Sequence, residues 1–290
     1  MKRLLIKRLT ATLAVVASSF LYGIFSWTVS AHPLPNVAND DKSNVIGQAT
    51  YLANEGVMIA SGDKKVVFDP FFHNDYGHYQ LVPESIRSAL FNGTAPYDNV
   101  TAVFISHAHE DHFSATDMHR FLKAQQNVRL YAPAQAVDKL TALGVDKQIL
   151  SRVIGINIDY GAKPFVAEFA GIGVEAVRIP HAGGLGRRDI QNMAFRVSLA
   201  QQVTVMHMGD ADPKDEFFLP YDKFWQQRVT DVAFPPYWFF GSKQGIDILN
   251  NRINSRHAIG VHVAKGAIKQ LKASPFEVFT LPGEVYQIKR

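Results

Sequence analysis

The sequence predicts a mixed α/β fold that opens with strands, continues with helices and ends in a second run of strands. Short apolar runs rich in Val, Ile and Phe, bounded by Gly, Asn and Asp, indicate buried strands. Between some of them, apolar residues at helical spacing follow a Ser, Thr or Pro that can start a helix. With 47% hydrophobic residues, the chain can bury a sizeable core. Periodicity alone defines no more than the mixed class.

The first predicted elements are short strands. Residues 50–52 and 57–60 flank turn residues, and a second turn at 61–64 leads to a strand at 65–68, which makes a hairpin. A helix is predicted at 114–126, with Ser114 or Thr116 as its cap. The later predictions, in chain order, are a strand at 128–131, a helix at 134–143, strands near 152–158, 164–170, 173–179, 193–199 and 203–208, a helix near 213–218, a strand near 231–234, a helix near 243–253, and strands near 258–263, 276–280 and 284–288.

The N-terminal residues 1–31 have the pattern of an export signal. The first eight residues carry four cations, residues 9–31 carry no charge, and residues 29–31 place small side chains where a signal peptidase cuts. We predict cleavage, with retention as an N-terminal membrane anchor as the alternative. In both cases the rest of the chain is exported, to the periplasm or out of the cell. Residues 32–43 are predicted to be a linker and residues 44–290 the folded domain.

Charge and cysteine content exclude several classes. All four cations of residues 1–31 are unopposed, so residues 32–290 hold 26 basic and 26 acidic residues and are formally neutral. A neutral domain lacks the basic surface that nucleic-acid binders use, and no nucleic-acid partner is predicted. The chain has no cysteine, which excludes disulfides and thiolate ligands. The pattern leaves the oligomeric state open.

One hexapeptide indicates a metal site. His107, His109, Asp111 and His112 lie within six residues, directly after the apolar run at 103–105. Three imidazoles and a carboxylate are the nitrogen and oxygen ligands that suit zinc, iron or manganese, and a strand ending in a tight loop can turn them toward one point. The alternative is a histidine-rich surface loop.

The hexapeptide and the strand before it resemble the signature of the metallo-β-lactamase superfamily. That resemblance implies a four-layer αββα sandwich, with mixed sheets, helices on the outer faces and ligands on loops along one sheet edge. It also implies further ligands after later strands, and His181, Asp210 and His262 occur in the expected order. Asp69, at the end of an early strand, matches the residue that supports the hexapeptide loop. The resemblance covers about residues 48–290.

The resemblance also assigns roles. It implies that one metal is held by His107, His109 and His181, that the other is held by Asp111, His112 and His262, and that Asp210 bridges the two. Zinc is the expected metal, with manganese or iron as alternatives. Two such cations lower the pKa of a bridging water and polarise a carbonyl or phosphoryl oxygen, which is hydrolytic chemistry. Asp111 is expected to transfer the proton, and Asp69 to orient a ligand from outside the ligand set.

Some assignments rest on weaker patterns. His257 is the alternative to His262, and His207, inside an apolar strand, is predicted to be a core residue. Tyr237 and Trp238, in an aromatic segment, are predicted to contact the substrate, as is Arg187 in the glycine-containing loop after His181. The alternative is that these aromatics cover a sheet edge and that the arginine is a surface residue.

The predicted function is an exported metal-dependent hydrolase that uses a metal-bound hydroxide on a phosphodiester, ester or lactone, either a small molecule or a lipid. The Asp69-Pro70 pair, the long gap before His181 and the segment at 281–284 resemble the branch with ascorbate-6-phosphate lactonase and N-acylphosphatidylethanolamine-hydrolysing phospholipase D. An aspartate at the bridging position departs from the true β-lactamases. The alternatives are a metal-retaining binding or sensing protein without turnover, and a redox di-iron protein.

Overall fold

Two β-sheets form the centre of the structure, a computed structural model that describes residues 44–290. The predicted export signal (1–31) and linker (32–43) lie outside the described residues. The strands within this part of the chain are β1 (Val45–Ala53), β2 (Gly56–Ser61), β3 (Lys64–Phe68), β4 (Ala102–Phe104), β5 (Arg129–Pro133), β6 (Val153–Ile156), β7 (Phe165–Phe169), β8 (Ile172–Arg178), β9 (Met193–Leu199), β10 (Val203–His207), β11 (Val232–Phe234) and β12 (Val285–Lys289). Its α-helices are α1 (Glu84–Asn92), α2 (Ala115–Ala124), α3 (Ala134–Ala142), α4 (Lys147–Leu150), α5 (Asp215–Phe218), α6 (Asp222–Gln226), α7 (Lys243–Asp247) and α8 (Ile268–Lys272).

The larger sheet is mixed and has the order β12-β1-β2-β3-β4-β5-β6. Its first strands pair antiparallel through tight turns, where Asn54 (φ 48°) and Gly62 (φ 57°) adopt the left-handed conformation that such turns require. From β3 to β6 the strands run parallel, joined by crossovers that contain α1, α2 and α3. The carboxyl ends of the parallel strands therefore meet at one edge.

The smaller sheet has the order β11-β10-β9-β8-β7. Strands β7 to β10 pair antiparallel, and β11 joins β10 in parallel. In the turn between β7 and β8, both central residues, Ala170 and Gly171, have positive φ, which matches the twist of the strands on either side. The parallel β11 brings its end to the same edge as the end of β10.

Alternation along the strands creates four layers. In β3, Val66 and Phe68 belong to the core between the sheets, whereas Val67 packs into a second core with α1 and α2. In β10, Val205 faces the first core, and Met206 faces a third core beneath α5 and α6. Each sheet is therefore covered by helices on its outer face, and the predicted αββα sandwich is confirmed.

Some elements differ from the sequence prediction. The predicted strands at 258–263 and 276–280 form only isolated bridges, such as Pro236 with Val261. Pro235 and Pro236 follow β11 and lack the N–H that a continuous ladder needs, so the pairing beyond β11 is interrupted. The predicted helix at 243–253 is α7 followed by a π-helical turn at Ile248–Arg252.

Helix α1 is absent from the sequence prediction, although local signals flank it. Pro83 precedes it, and Gly93 ends it in the left-handed conformation, φ 61°. It buries Ile86, Leu90 and Phe91 against the larger sheet.

Among residues 44–290, no helix has the length and hydrophobicity of a membrane-spanning segment.

Candidate metal centre

The histidine-rich hexapeptide lies at the edge where the parallel strands end. It follows β4 and ends just before α2, whose first turn is capped by Ser114 accepting a hydrogen bond from the Asp117 backbone N–H. Within the hexapeptide, the carbonyl of His109 accepts bonds from the N–H groups of His112 (3.1 Å) and Phe113 (2.8 Å). This tight turn directs the side chains of the hexapeptide to one side.

Three other loops deliver the remaining predicted ligands. His181 follows β8, and Asp210 follows β10; a backbone bond from the Ala182 N–H to the Asp210 carbonyl (2.7 Å) ties the two loops together. His262 has the left-handed φ of 58°, and its N–H donates to the carbonyl of Asn54 (2.8 Å) in the β1–β2 turn. The loops after β8 and β10, together with the segment that carries His262, thus face the hexapeptide.

The structure brings all seven predicted ligands together. They form two groups whose donor atoms lie within 4.8 Å of one another, one of His107, His109, His181 and Asp210, and one of Asp111, His112 and His262. Asp210 lies between the groups: its Oδ2 is 3.1 Å from His181 Nε2, and its Oδ1 is 3.2 Å from His262 Nε2. The grouping matches the division that the resemblance implies.

The donor set fits divalent metal ions. His112 Nε2, His262 Nε2 and Asp210 Oδ1 are buried and have no hydrogen-bond partner among the described residues. Buried polar atoms in folded proteins nearly always have a hydrogen-bond partner. Three such atoms that point to the same place without partners therefore indicate that an ion binds there. Imidazole nitrogens and carboxylate oxygens without thiolates are the ligands of zinc, manganese and iron.

The pKa values of the histidines agree with this interpretation. Burial, above all, holds the pKa of His107 well below its usual range, and burial lowers the pKa of His109 to about 4, so both rings are neutral near pH 7, the form that binds a metal. Burial also acts to lower the pKa of His112, but the Asp210 and Asp111 carboxylates outweigh it and raise that pKa well above its usual range. A divalent cation would take the place of the proton that His112 carries among these carboxylates.

Asp69 supports the hexapeptide from behind. It is fully buried, and its Oδ1 accepts the Ser106 N–H (2.8 Å). Its Oδ2 accepts the Ser106 hydroxyl (2.5 Å) and lies 2.9 Å from His112 Nδ1. A carboxylate on the far nitrogen of an imidazole fixes the ring so that the other nitrogen faces the metal. The structure therefore places Asp69 where the sequence prediction puts it, outside both groups of ligands.

Two asparagines that the sequence prediction lacks hold the ligand loops. The side chain of Asn54 donates to the Asp111 carbonyl (2.9 Å). Asn192 accepts the Asp210 N–H (3.0 Å) through Oδ1 and donates to the Met208 carbonyl (3.2 Å). Both are fully buried. Nothing in their local sequence distinguishes them from ordinary turn or strand-end asparagines, because their contacts are with distant segments.

Glu55 is another buried residue that the sequence prediction lacks. Its side chain is fully buried beside Asp69 and His207, and donor atoms of these three residues lie within 4.8 Å of one another. Burial, first of all, raises the pKa of Glu55 well above its usual range. His207 is itself buried and stacks on Phe68, with ring centroids 4.9 Å apart.

Aromatic residues flank the second group of ligands. The Trp238 ring lies 5.2 Å from the His262 ring, and its indole N–H donates to the Ala211 carbonyl (3.0 Å). Tyr79 contacts the same histidine, with ring centroids 4.2 Å apart. Tyr237 packs against Trp238 at 5.7 Å.

A cleft of about 520 Å³ opens beside His181, which belongs to the first group of predicted ligands. Tyr160 and Phe217 line it together with charged side chains of both signs, which are Arg178, Arg188, Lys214, Asp159 and Asp212. Arg187, the predicted substrate residue, is exposed and does not line this cleft; its side chain packs over Gly183.

His257 lies outside both groups of ligands. Its Nε2 is 2.8 Å from the Glu277 carboxylate, and its ring stacks on Tyr286. The structure thus brings His262, and not His257, to the cluster.

Comparisons with known proteins agree on the fold. A family model described as the beta-lactamase superfamily domain matches residues 48–222. No curated protein matches the chain in sequence. Solved structures do match, at low identity and over most of the described residues. A possible metal-dependent hydrolase from Veillonella parvula is 19% identical, with a TM-score of 0.58, and the match covers 83% of this chain and 99% of that one.

Two further structures give similar values. The metallo hydrolase Igni18 from Ignicoccus hospitalis is 17% identical, with a TM-score of 0.54, covering 83% of this chain and 97% of that one. The metallo-beta-lactamase fold protein YhfI from Bacillus subtilis is 17% identical, with a TM-score of 0.51, covering 83% and 98%. At this identity the likeness shows a shared fold.

Proposed function

The chain belongs to the β-lactamase superfamily domain family, and from that premise we propose that it is a dinuclear metal-dependent hydrolase. The position of Asp210 carries the proposal. Its two carboxylate oxygens face different groups of ligands, one toward His181 (3.1 Å) and one toward His262 (3.2 Å). A carboxylate in that position suits two cations held a few ångströms apart. Seven nitrogen and oxygen ligands also exceed the coordination of a single zinc ion.

Divalent cations bound there would activate a water molecule and polarise a carbonyl or phosphoryl oxygen. We assign proton transfer to Asp111. It is 4% exposed, and its Oδ2 lies 3.3 Å from His262 Nε2, so one edge of the carboxylate faces the centre of the site. A carboxylate there can accept the proton of the attacking water and return it to the leaving group. Asp69 and Asn54 hold the ring of His112 and the backbone of Asp111 in place for this step.

The proposed substrate is a phosphodiester, ester or lactone, either a small molecule or a lipid. The cleft beside His181 has the size of small-molecule pockets, about 300–1,000 Å³. Its lining combines apolar rings with three cationic side chains and two carboxylates, which suits a substrate with an apolar portion and a polar or anionic group. Zinc is the proposed metal, with manganese or iron as alternatives that the ligand set also accepts. Export of the domain is proposed from the pattern of residues 1–31.

Metal analysis combined with a substrate screen tests the proposal. The metal-loaded protein would be assayed on bis(p-nitrophenyl) phosphate, p-nitrophenyl esters, lactones and a thioester. We expect close to two metal ions per chain and turnover of at least one class. His107→Ala should lose metal and activity, whereas His257→Ala, which removes a histidine outside the site, should keep both.

Two results would contradict the proposal. A stoichiometry that stays at one ion under metal excess and is unchanged by Asp210→Ala would rule out the dinuclear site. A fully metal-loaded protein that is inert on every class would favour the metal-retaining binding protein.

A further inference from the structure

Glu55 is a fully buried acid. It occupies the tight turn between β1 and β2, a place where a glutamate is normally solvated. Its side chain is nevertheless fully buried, and neither carboxylate oxygen has a hydrogen-bond partner among the described residues. Burying a carboxylate in this way is costly unless a positive charge lies nearby.

The adjacent His207 does not supply that charge. Its Nε2 donates to the backbone carbonyl of Glu55 (2.9 Å) and lies 3.2 Å from the Glu55 Oε2. Its Nδ1 is buried and has no hydrogen-bond partner among residues 44–290. A doubly protonated ring would leave an Nδ1–H donor unsatisfied, which costs about 1–3 kcal/mol, whereas a neutral ring leaves only a lone pair. The flat stacking of His207 on Phe68 also suits a neutral ring.

Only cations bound in the metal centre can then favour the charged form of Glu55 over the neutral acid. Four buried carboxylates lie in the metal centre or directly behind it: Glu55, Asp69, Asp111 and Asp210. Among residues 44–290, no lysine or arginine forms an ion pair with any of these four. A negative charge on Glu55 would add to the attraction of these carboxylates for two divalent cations in a buried site.

The turn that carries Glu55 is also fixed to the ligands. Asn54, the preceding residue, bonds the backbone of Asp111 through its side chain and the backbone of His262 through its carbonyl. The position of Glu55 relative to the second group of ligands is therefore set by direct hydrogen bonds.

We propose that Glu55 is a positioning residue of the metal centre, whose carboxylate charge, held beside Asp69 behind the ligands, raises the affinity of the site for its two cations. The inference rests on the proposed function and adds a residue that touches neither metal nor substrate.

The charge and the shape of this side chain can be separated by substitution. Glu55→Gln keeps the shape and loses the charge, whereas Glu55→Asp keeps the charge and shortens the side chain. Zinc affinity would be measured by competition with a chromophoric chelator, and the zinc-induced rise in melting temperature would be measured in parallel. We expect about 10–100-fold weaker zinc binding for Glu55→Gln, the range for partners outside the ligand set, and a smaller loss for Glu55→Asp.

Thr230→Val is the matched control. Thr230 is fully buried, and its hydroxyl lacks a partner among the described residues, but it precedes β11 at the end of the strand away from the site. This variant should keep the wild-type zinc affinity. If Glu55→Gln does not fold, Glu55→Met, which brings no buried N–H group, carries the same expectation.

Each outcome has a defined meaning. Zinc affinity of Glu55→Gln within twofold of the wild type, or weaker binding by Glu55→Asp than by Glu55→Gln, would overturn the role of the charge. A wild-type protein that binds no metal would instead contradict the proposed function, and so the two failures are distinguishable.

Discussion

Replacing Gly209 by alanine should damage the metal centre through the backbone. Gly209 precedes Asp210 with φ 51°, and a Cβ there would overlap Asn192 Oδ1 and lie 2.7 Å from Ser106 Cβ. The left-handed conformation of an alanine costs about 1–2 kcal/mol. Displacing Asn192 leaves the Asp210 N–H without its acceptor, which adds about 1–3 kcal/mol. Together these two costs lower the free energy of unfolding by about 2–5 kcal/mol, which corresponds to a fall in melting temperature of roughly 5–20 °C for a domain of this size.

Gly62→Ala is the matched control for this prediction. Gly62 has nearly the same φ, 57°, in the turn between β2 and β3, but a Cβ added there would meet no atom within 4 Å, so only the conformational cost applies. Thermal unfolding of both variants without metal, followed by zinc titration, separates the two contributions. We expect Gly62→Ala to keep the zinc affinity of the wild type and Gly209→Ala to lose at least about tenfold. Equal stability losses together with unchanged zinc binding in both variants would refute the reasoning.

Three further predictions concern individual side chains. Asp111→Asn should retain most of the metal, because an amide oxygen can still coordinate, yet lose about a hundredfold in kcat corrected for bound metal, the contribution of a general acid–base group; near wild-type kcat would remove the proton-transfer role. His107→Ala should abolish the difference in melting temperature between metal-loaded and chelator-treated protein, since the stabilisation is linked to ligand binding, and an unchanged difference would count against its role as a ligand. Asp69→Asn should weaken metal binding about 10–100-fold by loosening His112, and an unaltered affinity measured by chelator competition would show that this contact does not matter.

The sequence predicted which side chains would converge at the candidate metal centre, because their signal is both local and ordered. His107 and Asp111 belong to a pattern within six residues, and His181 and Asp210 each follow a predicted strand that ends at the same edge. His262 follows a segment predicted as a strand that forms only isolated bridges, yet it reaches the site all the same. Its position depends on a backbone bond to the β1–β2 turn, a contact that no strand pattern contains.

The supporting residues could not be predicted in this way. Glu55, Asn54 and Asn192 are single polar residues in ordinary turn or strand-end positions. Their burial results from the packing of the two sheets against each other, and each partner is distant in sequence, as in the contact of Asn54 with Asp111. Polar residues of these types are mostly exposed, so local pattern alone assigns them to the surface.

Two residues of the candidate metal centre have strained backbone conformations. Ala170 also has a positive φ, but it lies in a tight hairpin turn whose geometry requires it. No hairpin explains Asp69 (φ 40°) or His262 (φ 58°), which follow a strand and a bridge, respectively. A non-glycine residue held in this region costs about 1–3 kcal/mol and persists only where its surroundings fix it. Asp69 is fixed by Ser106, and His262 by Asn54, so hydrogen bonds within the candidate metal centre hold both strained residues in place.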